Sequence, residues 1–169
     1  KENLKFDTKS IVIMGVLASI EIILSRFFSI NAWNIKIGFS FIAIAIAAIL
    51  LGPLKAGIVS AISDFIGAIL FPIGVYFPGF TLTAFFTGFV FGVFLYRNQS
   101  TIRIILAVSI NQLIFSLVVN TFCISVIYGS PYGPLFLTRI AQAAVLIPAE
   151  IIILRVISKG FMKKKAMFM

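Results

Sequence analysis

Apolar residues in this chain come in long unbroken runs, without the regular polar interruptions of soluble helices or strands. A helix needs about 20 apolar residues to cross the roughly 30 Å hydrocarbon layer of a bilayer. Six runs approach that length. The first extends from about Thr8 to Ser29, and the second, about Lys36 to Leu51, is short and rich in small residues. The third follows Gly52-Pro53 and ends near Phe71-Pro72; the fourth starts at Pro78-Gly79 and ends near Tyr96. The fifth spans about Thr101 to Ile127 and the sixth about Pro134 to Lys159. Pro53, Pro78 and Pro134 suit helix starts, where a missing N–H has no partner to lose. The pattern predicts an all-α integral membrane protein: a six-transmembrane-helix bundle forming one membrane domain over residues 1–169. Gly52-Pro-Leu and Gly133-Pro-Leu recur, but as two helix starts and not as an internal repeat.

Composition removes the soluble alternatives. The chain is 61% hydrophobic and 11% charged, with a mean hydropathy of +1.16. A soluble domain is about 45–50% apolar and about 25% charged, so much of the excess must face lipid. This excludes a soluble enzyme, a disordered protein and a secreted disulfide scaffold. Later runs are as hydrophobic as the first, so none reads as a cleavable signal. There is no histidine, which removes His-based triads and general bases and most catalytic zinc sites. The single cysteine, Cys123, cannot close an intramolecular disulfide. A phosphate loop of the G-x-x-x-x-G-K-[ST] type, a dinucleotide fingerprint and a metal-ligand cluster are all missing from the sequence.

The net charge is +9, and its placement fits membrane topology better than nucleic acid. One side of the predicted bundle collects Lys1, Lys5, Lys9, Lys55, Arg97, Arg103, Arg155, Lys159 and the run Lys163-Lys164-Lys165. The turns at 30–35, 71–79 and 128–134 on the other side carry no Lys or Arg. Cytoplasmic flanks are the basic ones, so both termini are expected in the cytoplasm, with the tail 161–169 against anionic headgroups.

Three cations break this arrangement: Arg26, Lys36 and Arg139, all within a few residues of the outer surface in this topology. A central intramembrane charge costs at least about 2.5–3.5 kcal/mol, so it usually has a partner or a role. Snorkelling to headgroups is one reading. The other is a basin for an anion, most simply a carboxylate, which Arg grips in a bidentate fork. Asp64 lies at similar depth, with Ser60 and Gly67 on its helix face. It reads either as a structural ion-pair partner for Arg26 or Arg139, or as an acceptor for ligand N–H groups. Glu21 is expected to be structural, near Arg26. Glu150 is expected toward the cytoplasmic side, outside any outward-facing site. Among the amides and hydroxyls, Asn120, Thr81, Thr83 and Gln142 lie nearest the level of the cations, whereas Asn111 and Gln112 are deeper and expected to be structural.

The loop at 71–80 is aromatic and rich in Gly and Pro; Tyr76, Phe77 and Phe80 stand on it, with Trp33 on another outer turn. Interfacial belting accounts for single rings, but the group also suits a lid over a flat aromatic ligand. Small residues at four-residue spacing mark close helix packing. They occur at Ala84, Gly88 and Gly92, expected to pack internally, and at Gly15 and Ser19, a face suited to an external membrane partner.

Ser25-Arg26-Phe27, Lys36-Ile-Gly-Phe-Ser-Phe41, Gly52-Pro53, Ser63-Asp-Phe-Ile-Gly67 and above all Tyr76-Phe-Pro-Gly-Phe-Thr-Leu-Thr83 resemble the folate-specific substrate-binding subunits (S components) of energy-coupling factor (ECF) transporters. The resemblance covers nearly the whole chain. It implies a six-helix, non-enzymatic subunit of the cell membrane that captures folate or a related pterin from outside. It further implies association with a transmembrane coupling subunit and two ATPases. ATP would be used by those partners, and this chain would carry no cofactor and bind no nucleic acid. The A-x-x-x-A pattern known in the first helix of such proteins falls on Gly15 and Ser19, neither of which is alanine. On this reading Asp64 accepts from the pterin edge, Tyr76, Phe77 and Phe80 cover the rings, and two or three of Arg26, Lys36 and Arg139 hold the carboxylates.

Three other readings stay open: an S component for another flat vitamin such as thiamin or riboflavin, a small intramembrane enzyme, and an assembly subunit without a ligand. A cationic vitamin suits the three outer bases poorly, and an enzyme would need Asp, Glu or Lys pairs at matching depth. Six helices without a repeat are few for an alternating-access carrier.

Overall fold

The computed structural model describes residues 6–32 and 35–167, with side chains for 6–30 and 37–160. Helix α1 covers Thr8–Arg26 and is followed by strands β1 (Ser29–Ala32) and β2 (Ile35–Gly38). Helices α2 (Ser40–Leu51), α3 (Pro53–Leu70) and α4 (Pro78–Leu95) come next. A continuous helical rod then runs from Thr101 to Tyr128 as α5 (Thr101–Ile110), a π-helical segment (Asn111–Asn120) and α6 (Thr121–Tyr128). Helix α7 (Tyr132–Met167) closes the chain.

Among the described residues, five helices are long and apolar enough to cross a membrane: Thr8–Arg26, Pro53–Leu70, Pro78–Leu95, Thr101–Tyr128 and Tyr132–Gly160. Large side chains stay exposed around their outer faces, among them Val12, Ile69, Leu82, Ile102, Val145 and Val156. Lipid replaces water for such surfaces, and the protein is a multi-pass membrane protein. Helix α2 has 12 residues, about 18 Å of rise. It lies in the middle of the bundle, with Ala43, Ala45, Ala47 and Ala48 almost fully buried.

Two expectations need correction. The chain is not purely α: β1 and β2 pair antiparallel, with Ser29 opposite Gly38, Ile30 opposite Ile37, Asn31 opposite Lys36 and Ala32 opposite Ile35. The first helix therefore ends at Arg26 instead of Ser29, and the second starts at Ser40 instead of Lys36. The physical cause is local. Ser29-Ile-Asn-Ala32 and Ile35-Lys-Ile-Gly38 each alternate polar and apolar, with β-branched Ile at three positions, a period-2 pattern that suits a pleated ribbon. Lipid-scale hydropathy averages that alternation away.

The core joins α2 to its neighbours through Ala56 and Val59 of α3, Phe91 and Leu95 of α4, and Ile104, Ala107 and Val108 of α5. Helices α3 and α4 make the closest contact. A Cβ on Gly88 would lie 2.5 Å from the Ala56 carbonyl oxygen, and one on Gly92 would run into the Pro53 backbone. Glycine at both places lets the two backbones touch, the internal role expected for this stripe. Overpacking typically costs about 1–3 kcal/mol, and here the obstacle is rigid backbone. Gly88→Val is therefore expected to lower the melting temperature of the detergent-solubilised protein sharply, which a thermal unfolding scan reads directly.

Candidate functional site

A cavity of about 600 Å³ opens between the helices, within the usual size for small-molecule sites. The rod and α7 supply two of its walls as ordered stripes. On α7 the lining residues are Arg139, Gln142, Leu146 and Glu150. Steps of three, four and four residues return to one helix face, because eleven residues make three turns plus only about 20°. The rod contributes Gln112, Ser116, Asn120, Ile124 and Tyr128, each four residues after the last. Four residues overshoot an α-helical turn by about 40°, so this stripe would wind about 160° around an ideal helix. The π-helical turns at Asn111–Asn120 hold more residues each and slow that drift, keeping the polar positions on the cavity. The fifth span was expected as one α-helix; its middle third is π, which no hydrophobic period discloses.

On the opposite wall α1 and α3 meet through polar contacts. Ser60 Oγ donates to Glu21 Oε1 at 3.3 Å. Arg26 Nη2 lies 4.0 Å from Asp64 Oδ1 and donates to the Asp64 carbonyl at 3.5 Å. Gly67 makes room for that guanidinium, since a Cβ there would come within 2.9 Å of Arg26 Nε. Thr81 Oγ1 donates to Asp64 Oδ2 at 2.9 Å and pairs with the Tyr76 hydroxyl at 3.1 Å. Asp64 on α3 is thus tied to α1 and α4 while its side chain remains 26% exposed on the cavity wall.

Arg139 differs from Arg26. It is 7% exposed, lines the cavity, and its Nε and Nη1 have no hydrogen-bond partner among the described residues. Buried polar groups are normally satisfied, so an orphaned guanidinium facing a cavity calls for an anionic acceptor. Asn120 Oδ1 is unpartnered in the same way.

The other expected site residues fall as follows. Tyr76, Phe80, Thr83, Asn120 and Gln142 line the cavity with Arg26, Asp64 and Arg139. Phe77 stands behind Phe80, edge to face at 6.3 Å, and Thr81 acts on Asp64 without itself lining the cavity. The Lys36 side chain and Trp33 lie outside the described residues. Gly15 and Ser19 are remote from the cavity, on an open face of α1; nothing lies within 4 Å of a Cβ on Gly15, and Ser19 Oγ donates back to the Gly15 carbonyl at 2.9 Å.

Sequence reasoning missed part of the lining. Gln112 and Glu150, expected outside the site, both line the cavity, and Gln112 Nε2 donates to Glu150 Oε1 at 2.6 Å. Glu21 also lines it. The helical spacing of Glu150 from Arg139 and Gln142 was the available signal. Depth counted from the nearest basic end gave no sign of it.

A family model described as "ECF-type riboflavin transporter, S component" matches residues 5–163. The folate transporter FolT of Clostridium novyi (strain NT) is 40% identical over 144 residues, covering 85% of this chain and 84% of that protein. A folate transporter FolT of Leuconostoc mesenteroides subsp. mesenteroides is 26% identical over 154 residues, 87% and 83% of the two chains. Among solved structures, a crystal structure of FolT bound with folic acid superimposes with a TM-score of 0.87 at 32% identity, covering 91% of this chain and 95% of that one. With the match running over almost its full length, this chain belongs to the S-component family of ECF-type transporters.

Proposed function

We propose that this protein is the folate-capturing S component of an ECF-type importer. It binds folate or a related pterin in the cavity from the extracellular side. It then delivers the vitamin together with a transmembrane coupling subunit and two ATPases. In this reading α2 counts as the sixth membrane helix, both termini are cytoplasmic, and the chain catalyses no reaction and carries no cofactor. Folate is proposed because the relatives at 40% and 26% identity and the structural neighbour are all folate proteins by name.

The observation that carries the choice of ligand is Arg139, a buried cation on the cavity with two unsatisfied donors. Folate ends in a glutamate with two carboxylates. Riboflavin, the vitamin in the family description, has none, and thiamin is itself a cation. Arg26 is held near Asp64 and stands ready to share a carboxylate with Arg139. Tyr76 and Phe80 supply aromatic faces for the flat rings. The exposed face of α1 around Gly15 and Ser19 is proposed as the docking surface for the coupling subunit, since small residues let membrane helices approach closely.

Calorimetric titration of the purified protein with folic acid, riboflavin and thiamin tests the reading. Folic acid is expected to bind tightly, and the other two at least a hundredfold more weakly. Tighter binding of riboflavin, or no binding of folic acid, would overturn it.

A further inference from the structure

Arg139 accounts for one end of the ligand; the other end of the same helix face is built as carefully. Glu150 lies about 16 Å along α7 from Arg139, eleven residues at about 1.5 Å each. That spacing is comparable with the length of folate from its pterin edge to its glutamate. Glu150 is 5% exposed and lines the cavity, and it makes no ion pair among the described residues. It accepts a hydrogen bond from the Gln112 amide at 2.6 Å, and Gln112 itself is 9% exposed. Of the cavity's other acids, Asp64 already has a cation beside it in Arg26 and accepts from Thr81, while Glu21 accepts from Ser60 on the opposite wall. A buried carboxylate held by a neutral amide keeps most of its acceptor capacity for something that enters the cavity.

We propose that the Gln112–Glu150 pair reads the 2-amino-4-oxo edge of the pterin and so sets the ring specificity of this S component; the inference rests on the folate reading above. Along that edge the pterin presents two donors and one acceptor: the 2-amino group, the N3–H and the 4-oxo oxygen. The carboxylate of Glu150 accepts from the two donors. The Gln112 amide has two N–H groups; one is spent on Glu150, and the other donates to the 4-oxo oxygen. The isoalloxazine edge of riboflavin carries one N–H between two carbonyls, so a carbonyl would face the carboxylate with no hydrogen between them. A buried acceptor left against another acceptor is strongly disfavoured. Two residues on facing helices thus select one heterocycle over another within a shared fold.

The test compares four ligands: folic acid, its 2-desamino-2-methyl analogue, its 4-amino analogue, and p-aminobenzoylglutamate, which has the tail without the ring. The unmodified protein is expected to prefer folic acid to either altered ring by tenfold or more. Glu150→Gln, which keeps size and shape, is expected to lose at least tenfold in folic acid affinity. Its preference over the 2-desamino analogue should collapse, while p-aminobenzoylglutamate binds as before. Gln112→Met is expected to narrow the preference over the 4-amino analogue alone. The inference is overturned if the unmodified protein binds all three ring forms equally. It also fails if Glu150→Gln retains the original preferences, or weakens the tail fragment as much as folic acid. If the unmodified protein binds p-aminobenzoylglutamate and folic acid with equal affinity, the ring is not read at all and the tail reading survives alone. Failure to bind any of the four removes the folate reading itself.

Discussion

Arg139→Met is expected to weaken folic acid binding by about 2–5 kcal/mol, roughly thirtyfold to several thousandfold, without destabilising the unliganded protein. The two halves of this expectation have one cause. In the free protein the guanidinium is 7% exposed, with Nε and Nη1 unpartnered among the described residues. A buried charge without a partner opposes folding, and replacing it by an apolar side chain of similar volume is neutral or stabilising. In the proposed complex the same donors would meet a carboxylate in a low-dielectric cavity, where charge-assisted pairs are strongest. Titration calorimetry measures the first effect and thermal melting without ligand the second. Arg139→Lys should recover part of the affinity, since it restores charge but not the planar fork. A fall in the melting temperature of unliganded Arg139→Met by many degrees would mean that Arg139 holds the fold, and the assignment to a ligand carboxylate would lose its main support.

Gly15→Leu is expected to abolish folate uptake by the assembled transporter, a loss of tenfold or more, while leaving folate binding unchanged. Nothing lies within 4 Å of a Cβ at Gly15, and Val12, Val16 and Ile23 on the same helix are about half exposed. The isolated protein therefore has room for leucine, and glycine in a helix interior is about 0.8–1.0 kcal/mol worse than alanine to begin with. The substitution should not harm folding. A partner helix that approaches through small residues would meet the new side chain at its closest point. Uptake by cells or proteoliposomes, compared with binding by the purified subunit, separates the two roles. Equal uptake by the variant would move the partner surface away from this face of α1.

The polar wall shows how far the linear pattern reaches. Asp64 and Arg26 are intramembrane charges that the sequence leaves open to an ion pair or to a ligand, and they stand near one another. Tyr76 and Thr81, neighbours in one short motif, are bonded to one another, and Thr81 in turn to Asp64. These contacts join residues that a local motif already groups, or charges that a hydrocarbon environment does not leave alone. Glu150 and Gln112 escaped because each looked ordinary by itself: an acid near a basic end, an amide deep in a span. Only the packing of α7 against the rod makes them a pair. The strand pair 29–32 and 35–38 escaped for a different reason, because its period-2 signal runs only four residues in each strand and sits between two spans whose hydropathy dominates any wider window.

The amino-acid sequence alone determined that this is a membrane protein of long apolar helices, with a few buried charges that must be compensated or used. Those features are additive: each residue's transfer energy into hydrocarbon counts wherever it sits, so summing along the chain suffices. The tertiary structure decided which faces meet, and with that the site. The π-helical turns hold Gln112, Ser116 and Asn120 on the cavity, and the stripe on α7 sets Arg139 and Glu150 at its two ends. A cavity is a gap between elements distant in sequence. Its lining depends on helix rotation and close approach, which no sum over single residues contains.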